Sequence, residues 1–503
     1  MRLDRLAAAL AEAGPRALSS EQASVEIGGL AFDSRAVNPG DLFFCVSGFR
    51  SDGHDFAATA VRSGAAALVV ERELGLGVPE LLVPSVRAAM PLLAACFYGN
   101  PAQELKVVGV TGTNGKTTTT YLVRALLEAG GLQCGLLGTV KSVIGGTERA
   151  VQRTTPEAID LQADLRAMLD GGDGACAMEV SSHALELGRT GGIAFSAAIF
   201  TNLTQDHLDF HESMEDYFMA KRQLFLPREG EPPKVSVVNV GDRYGRRLAG
   251  EIEGALTFAL EAPADYSAID VSCAFDGCRF TLRTPGGERE MRLPMPGRFN
   301  VENALGALAA VVGLGGDLDV MVAALEQGIH VPGRFEPVDE GQDFAVLIDY
   351  AHTPDSLENV LGAAGELASG RVICVFGAGG DRDRGKRPLM GEIAGRMADE
   401  TLVTSDNPRS EDPEGIIAEI MVGAARAERP DGSEAHVRAI TDRREAILEA
   451  VAEGRPGDVL VIAGKGHEQG QELEEGRKIP FDDASVAREA LSLRRPGVRA
   501  GSS

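Results

Sequence analysis

Seven consecutive residues, Gly112-Thr113-Asn114-Gly115-Lys116-Thr117-Thr118, combine turn glycines, a lysine and hydroxyls in an order suited to holding phosphate. Gly112 and Gly115 permit a tight turn whose backbone amides close on phosphate oxygens, Lys116 neutralises their charge, and Thr117 offers the hydroxyl such loops give to Mg²⁺. The spacing is a variant, because Val110 stands where the usual phosphate loop has its first glycine. Two more side chains suit a cation. Glu179 closes the apolar run Ala175-Cys-Ala-Met-Glu179, and His207 lies in Thr201-Asn-Leu-Thr-Gln-Asp-His-Leu-Asp209. Taken alone, Glu179 also reads as a helix N-cap and His207 as a turn or core residue; both falling after strands beside one phosphate loop favours metal. Thr154-Thr155-Pro156 reads as a loop over a substrate or as a helix start, and Lys221 as a solvated helix lysine.

These residues need strand ends and a helix N-terminus to hold them. Residues 107–110 predict a buried strand and 117–129 the helix that follows the loop. Further strands are expected at 175–180, 197–201 and 235–239, with helices between. That alternation predicts a mostly parallel sheet of P-loop type with ligands at the carboxyl ends of its strands. Before it, residues 1–101 read as a small α/β unit, with strands at 29–32, 41–46 and 66–70 and a helix at 56–63. Its turns at 33–35 and 48–53 are surface features on this reading. After residue 332 the alternation restarts, with strands at 344–348, 371–376, 401–404, 436–440 and 459–463, as in a Rossmann-like domain. The expected division is therefore 1–101, 102–332 and 333–495, with a frayed tail at 496–503. Gly377-Ala-Gly-Gly-Asp381 does not complete a dinucleotide fingerprint, so no nicotinamide cofactor is read there.

Composition narrows the classes. A chain of 503 residues exceeds a single core, and a formal charge of -25 argues against a nucleic-acid partner. No apolar run approaches a membrane span, and the first helix carries Asp4, Arg5 and Glu12, unlike a secretory leader. Seven scattered cysteines without a C-x-x-C pair read as reduced thiols in a cytoplasm. A monomer is expected.

In chain order, Thr111-Gly-Thr-Asn-Gly-Lys-Thr117, Met178-Glu-Val-Ser-Ser-His183, the 201–209 run, Gly297-Arg-Phe-Asn-Val-Glu-Asn303, Gly333-Arg334 and Asp349-Tyr-Ala-His-Thr-Pro354 resemble the motifs of the Mur ligases. These are ATP-dependent amino-acid-adding enzymes of bacterial peptidoglycan synthesis, and the resemblance spans nearly the whole chain. It implies ATP at residues 112–118 with Asn300, Asn303, Arg334, Asp349 and His352, and Mg²⁺ at Thr117, Glu179 and His207. It implies that Lys221 is carbamylated to N6-carboxylysine as a further metal ligand or orienter; a plain salt bridge is the other reading. The catalytic set is then Lys116, Glu179, His207 and Lys221. Phe32, Ser34, Phe49, Arg50, Ser51, Thr154, Thr155, Ser181 and Arg189 correspond to contacts with a UDP-muramoyl peptide. Leu187 departs from the glutamine often found there.

The Asp406-Asn407-Pro408-Arg409 stretch resembles the branch that adds meso-2,6-diaminopimelate to UDP-N-acetylmuramoyl-L-alanyl-D-glutamate, with Arg382, Gly464 and Glu468 as the other amino-acid contacts. Charge supports this independently. Diaminopimelate ends in a carboxylate beside its distal amine, which a guanidinium holds by paired hydrogen bonds, whereas lysine's lone ammonium is repelled. The expected chemistry is phosphoryl transfer to the glutamyl γ-carboxylate, then attack by the diamino acid's amine, with His183, His207 or His352 as its base. The alternatives are a lysine-adding relative, a folylpolyglutamate synthase, an ATP-hydrolysing switch protein, or a non-catalytic binding protein on the same scaffold.

Overall fold

The structure, a computed structural model, describes all residues except 11–18, 49–50, 152, 209, 229, 261, 431 and 495–503. Phe49, Arg50 and the tail therefore lie outside the described residues.

Lys106–Thr111 is a strand because five of its six residues are buried between helices, where branched apolar residues pack on a pleated surface. It sits near the middle of an eleven-stranded sheet, hydrogen-bonded in parallel to Phe195–Phe200 on one side and Ala175–Glu179 on the other. Cys134–Leu137 continues the parallel order beyond Ala175–Glu179, and Val235–Asn239 and Leu256–Leu260 continue it beyond Phe195–Phe200. The parallel core is edged by antiparallel ribbons, Ser142–Ile144 with Thr147–Arg149 and Tyr266–Ala274 with Gly277–Thr284 and Gly287–Leu293. The chain leaves Thr111 at Gly112, whose φ of +149° suits only glycine, and a Cβ there would lie 1.8 Å from the Thr201 hydroxyl. It then enters the helix Lys116–Ala129 through Gly115 in a left-handed conformation.

A four-stranded parallel sheet, in the order Gly29–Ala31, Asp41–Phe44, Ala67–Val70 and Glu80–Leu82, precedes this unit. A six-stranded sheet follows it. Its order is Glu336–Pro337, Ala345–Asp349, Val459–Ala463, Val372–Phe376, Glu400–Val403 and His436–Ala439, parallel except for the first pair. Its four inner strands are buried along almost their whole length. Pro354–Leu367 crosses one face, started by a Thr353–Ser356 capping box with Pro354 in its first turn. The alternation read from the sequence is present in all three parts, with strand ends shifted by a residue or two.

One feature of the fold departs from the sequence expectation. Cys273 and Cys278 are joined by a disulfide, which corrects the reading of seven reduced thiols. They face each other in register across the hairpin of Tyr266–Ala274 and Gly277–Thr284, a pairing hidden until the hairpin is recognised. The other five remain free, four of them buried. Arg443 and Asp483 form an ion pair with both side chains fully buried, and Arg443 also donates to the Ala463 carbonyl at 2.9 Å. Removing one partner strands the other charge in an apolar interior. Asp483→Ala is expected to destabilise the protein by about 3–5 kcal/mol, read as a lower urea midpoint; a midpoint within error of the parent's would refute it.

Candidate active site

A cavity of about 330 Å³ opens over the carboxyl ends of the central strands, between the phosphate loop and the first turn of Pro354–Leu367. Lys116, Thr117, Glu179, His207 and Lys221 all line it. The strand order explains this convergence. Lys106–Thr111 lies between the strands ending at Glu179 and Phe200, so the segments that follow all three emerge side by side.

The Lys116 ammonium folds back over its own loop, donating to the carbonyls of Gly112 at 2.9 Å and Thr113 at 2.7 Å. Burial lowers its pKa, and Glu179 and Asp206 offset part of that shift. Glu179 is buried and accepts from the Thr117 hydroxyl at 3.0 Å, the Thr139 amide at 2.8 Å and the Thr139 hydroxyl at 3.1 Å. His207 adopts a left-handed conformation at φ +53°, and burial lowers its pKa to about 4. It is therefore a neutral imidazole at neutral pH, the form that binds metals. Lys221 is buried, donates to the Gly112 carbonyl at 2.7 Å and lies 4.6 Å from the Tyr217 ring centroid. Desolvation, reinforced by Lys116, holds its pKa well below that of an ordinary lysine. The expectation of a solvated helix lysine is thus corrected, because the helix turns this side chain inward.

Among the described residues no three His, Cys, Asp or Glu side chains gather as a metal cage. One carboxylate, one neutral imidazole and one hydroxyl beside a phosphate loop still fit Mg²⁺, which usually takes only one or two protein carboxylates and completes its shell with water and substrate phosphates.

The other expected nucleotide residues divide. Asn303 lines the cavity, accepts from Thr119 at 3.2 Å and closes on Gly115, where a Cβ would meet its Oδ1 at 2.3 Å. Asn300 does not line it; buried beneath, it accepts from Asn303 and donates to the Pro296 carbonyl. Asp349 accepts the amides of Phe335 and Ala351, both at 2.7 Å. His352 bonds the Tyr350 carbonyl at 2.8 Å through Nδ1, which must carry the proton, so Nε2 is left as an acceptor. Arg334 joins the two large sheets by donating to the Thr117 hydroxyl at 2.9 Å and lying over the Tyr350 ring. Arg334→Ala is expected to cut turnover about 10²-fold through lost alignment and to raise the ATP KM; unchanged values for both would remove its bridging role.

On the far side of Glu179, Thr154 meets Thr139 at 3.0 Å, Thr155 donates to the Glu179 carbonyl, and Ser181 caps the helix Ser182–Glu186. Arg189 donates to the Thr155 carbonyl and pairs with Glu157 at 2.8 Å. Thr154 and Ser181 reach the cavity, whereas Phe32, Ser34 and Ser51 do not line it.

A second cluster hangs from the carboxyl ends of the six-stranded sheet. Glu468 accepts from Asn407 at 2.8 Å and from the fully buried Lys465 at 2.9 Å, and Lys465 also donates to Asn407. Asp406 faces Lys465 at 3.6 Å. Arg409, at φ +52°, pairs with Glu472, while Arg382 is exposed and, among the described residues, donates only to the neighbouring Asp381 carbonyl. The Gly464 amide bonds the Asp349 carbonyl, and His467 packs on Tyr350, linking this cluster to the cavity.

Several residues here carry no sequence signal of their own. Asp355 bridges Asn114 at 2.5 Å and Thr204 at 3.0 Å, tying the third unit to the phosphate loop. Thr139 orients Glu179, and Lys465 sits in a glycine-rich stretch where only Gly464 and Glu468 carry the resemblance.

Three family descriptions match: "Mur ligase family, catalytic domain" at residues 26–98, "Mur ligase middle domain" at 110–311, and "Mur ligase, glutamate ligase domain" at 333–466. A UDP-N-acetylmuramoyl-L-alanyl-D-glutamate--2,6-diaminopimelate ligase from Syntrophomonas wolfei is 47% identical over 93% of this chain and 95% of its own length. A solved ligase of that same name superposes with a TM-score of 0.66 at 35% identity, covering 93% of this chain and 95% of the other. A MurF ligase from Thermotoga maritima, solved with ADP, shares the fold at a TM-score of 0.61 and 18% identity, over 95% and 99% of the two chains.

Proposed function

Since the chain belongs to the Mur ligase family, we propose that it joins meso-2,6-diaminopimelate to the D-glutamyl γ-carboxylate of UDP-N-acetylmuramoyl-L-alanyl-D-glutamate, at the expense of ATP, in peptidoglycan precursor synthesis. The observation that carries the acceptor assignment is Arg409, fixed by Glu472 and close in the chain to Asn407, which bonds Glu468. A cation there suits an amino acid whose far end bears a carboxylate, and Glu468 suits an amine.

The mechanism follows from the cavity. A carboxylate is a poor electrophile, so its oxygen first attacks the γ-phosphorus of ATP, ADP leaves, and an acyl phosphate forms. The loop amides, the amino end of Lys116–Ala129 and the remaining Lys116 hydrogen neutralise the phosphates during that transfer. Thr117, Glu179 and His207 would hold Mg²⁺, which draws charge from the phosphate oxygens when bound. Lys221 supports carbamylation because its buried amine is readily neutral, and only the neutral amine adds carbon dioxide. An intact mass showing a bare amine in bicarbonate-loaded enzyme would exclude it.

The amine of diaminopimelate then attacks the acyl carbon, a tetrahedral intermediate collapses, phosphate leaves with the C–O bond electrons, and one amine proton is lost. Of the expected bases, His352 fits best: it lines the cavity, its Nε2 is an acceptor, and burial lowers its pKa so that it is neutral when the amine arrives. Thr154 and Ser181 would orient the glutamyl end from the opposite wall, with Thr155 and Arg189 bracing them from behind. The unit boundaries near residues 101 and 332, a monomeric state and a cytoplasmic location belong to this same reading; ATP and UDP-linked substrates support the location.

The test is phosphate release with ATP and the UDP-muramoyl dipeptide, offering diaminopimelate and lysine in parallel. Diaminopimelate is expected to be preferred by about 10⁴-fold in kcat/KM. Equal or better use of lysine would overturn the acceptor assignment, and phosphate release needing no amino acid would overturn the ligase itself.

A further inference from the structure

The Arg409 guanidinium is held in place, and what holds it is a short antiparallel ribbon, Gly470–Glu472 paired with Lys478–Pro480. Glu472 joins the Asp406–Arg409 segment at three points. Its amide donates to Asn407 Oδ1 at 2.9 Å, its carbonyl accepts the Arg409 amide at 3.1 Å, and its carboxylate accepts Arg409 Nε at 2.9 Å. One residue earlier, Gln471 donates to the Asp406 carbonyl at 2.6 Å. Arg409 Nη1 donates to the Gly380 carbonyl at 2.7 Å, and Nη2 has no partner among the described residues.

We propose that Glu472 is a positioning residue for the acceptor amino acid, gripping Arg409 by its Nε edge so that the outer Nη1/Nη2 edge is presented to the substrate carboxylate. This rests on the acceptor reading above and adds a residue to it. Arginine binds carboxylates through two parallel N–H groups in a rigid fork, so the rotation of the fork decides whether both bonds form. The left-handed main chain at Arg409 aims the side chain, and the Gly380 carbonyl fixes only one nitrogen. Without Glu472 the fork turns about its remaining bond. Glu472 also tempers the positive charge, an effect of opposite sign that is screened at this partly exposed edge.

The experiment uses the full chain, with saturating ATP and UDP-muramoyl dipeptide and varied diaminopimelate. E472A is expected to raise the diaminopimelate KM about tenfold, the cost of a charge-assisted hydrogen bond, with kcat and the ATP KM within twofold. The preference over lysine shrinks by the same factor. E472Q keeps an acceptor for Nε and is expected to recover most of the loss, which a generally loosened fold would not allow. An unchanged or lower diaminopimelate KM in E472A overturns the proposal, as does an equal rise in the ATP KM or an E472Q variant no better than E472A. If the parent enzyme itself releases no phosphate with diaminopimelate, the acceptor reading has failed first, and parent and variant are then indistinguishable.

Discussion

Lys116→Met is expected to lower turnover by about 10³-fold while the protein stays folded and still binds the UDP-muramoyl dipeptide. Transferring a phosphoryl group spreads negative charge over oxygens in a site closed to water, and a pre-placed cation there is worth several kcal/mol, by analogy with single donors and arginine fingers. The lysine is already oriented, since the carbonyls of Gly112 and Thr113 take two of its hydrogens and direct the third into the cavity. The methionine variant keeps the bulk and loses the charge. A pre-steady-state measurement of acyl-phosphate formation locates the loss, and a variant slowed less than tenfold at that step would show that Lys116 is peripheral.

The second large effect is on choice of acceptor. Arg409→Ala is expected to lower kcat/KM for diaminopimelate by about 10³-fold and to raise that for lysine by about tenfold, since its ammonium no longer meets a like charge, so that the two acceptors become comparable. The asymmetry arises because lysine brings no carboxylate to the vacated place. Competition between the two amino acids, with products resolved by mass, reads this directly. A variant that still strongly favours diaminopimelate would move the recognition of its distal end to Arg382 or elsewhere.

Much of this is visible in the chain. The buried parallel strands are uninterrupted apolar runs, and Glu179, His207, Asp349 and Arg409 are polar residues at or shortly after the ends of such runs, where α/β sheets gather ligands. Partnerships are less legible. Arg334 bonds Thr117 and Asp355 bonds Asn114 across 217 and 241 residues, and nothing local to either end marks the other. Lys221 misleads because a helix with Lys, Arg, Glu and Asp gives little periodicity to say which charge faces inward. Asn300 and Asn303 look equivalent in sequence, yet three helical positions separate a cavity residue from one beneath it. The disulfide is hidden by its turn: the two turn residues are Phe275 and Asp276, with Ala274 paired to Gly277, and that register sets Cys273 opposite Cys278, whereas an Asp276-Gly277 turn, the usual hairpin signal, would have set Cys278 opposite Phe275. The Gly470–Glu472 ribbon is too short and polar to announce itself.

The phosphate cradle and the acceptor pocket grow from different sheets, each over its own hydrophobic core, and few side chains stitch them together. Damage therefore need not be all or none. A molecule whose last third has melted or been clipped keeps the phosphate loop but loses Arg334, Asp349 and His352 from the cavity wall, so it holds nucleotide only by its phosphates and builds nothing. Such half-loaded molecules dilute an ATP titration, and bond formation counts the intact ones.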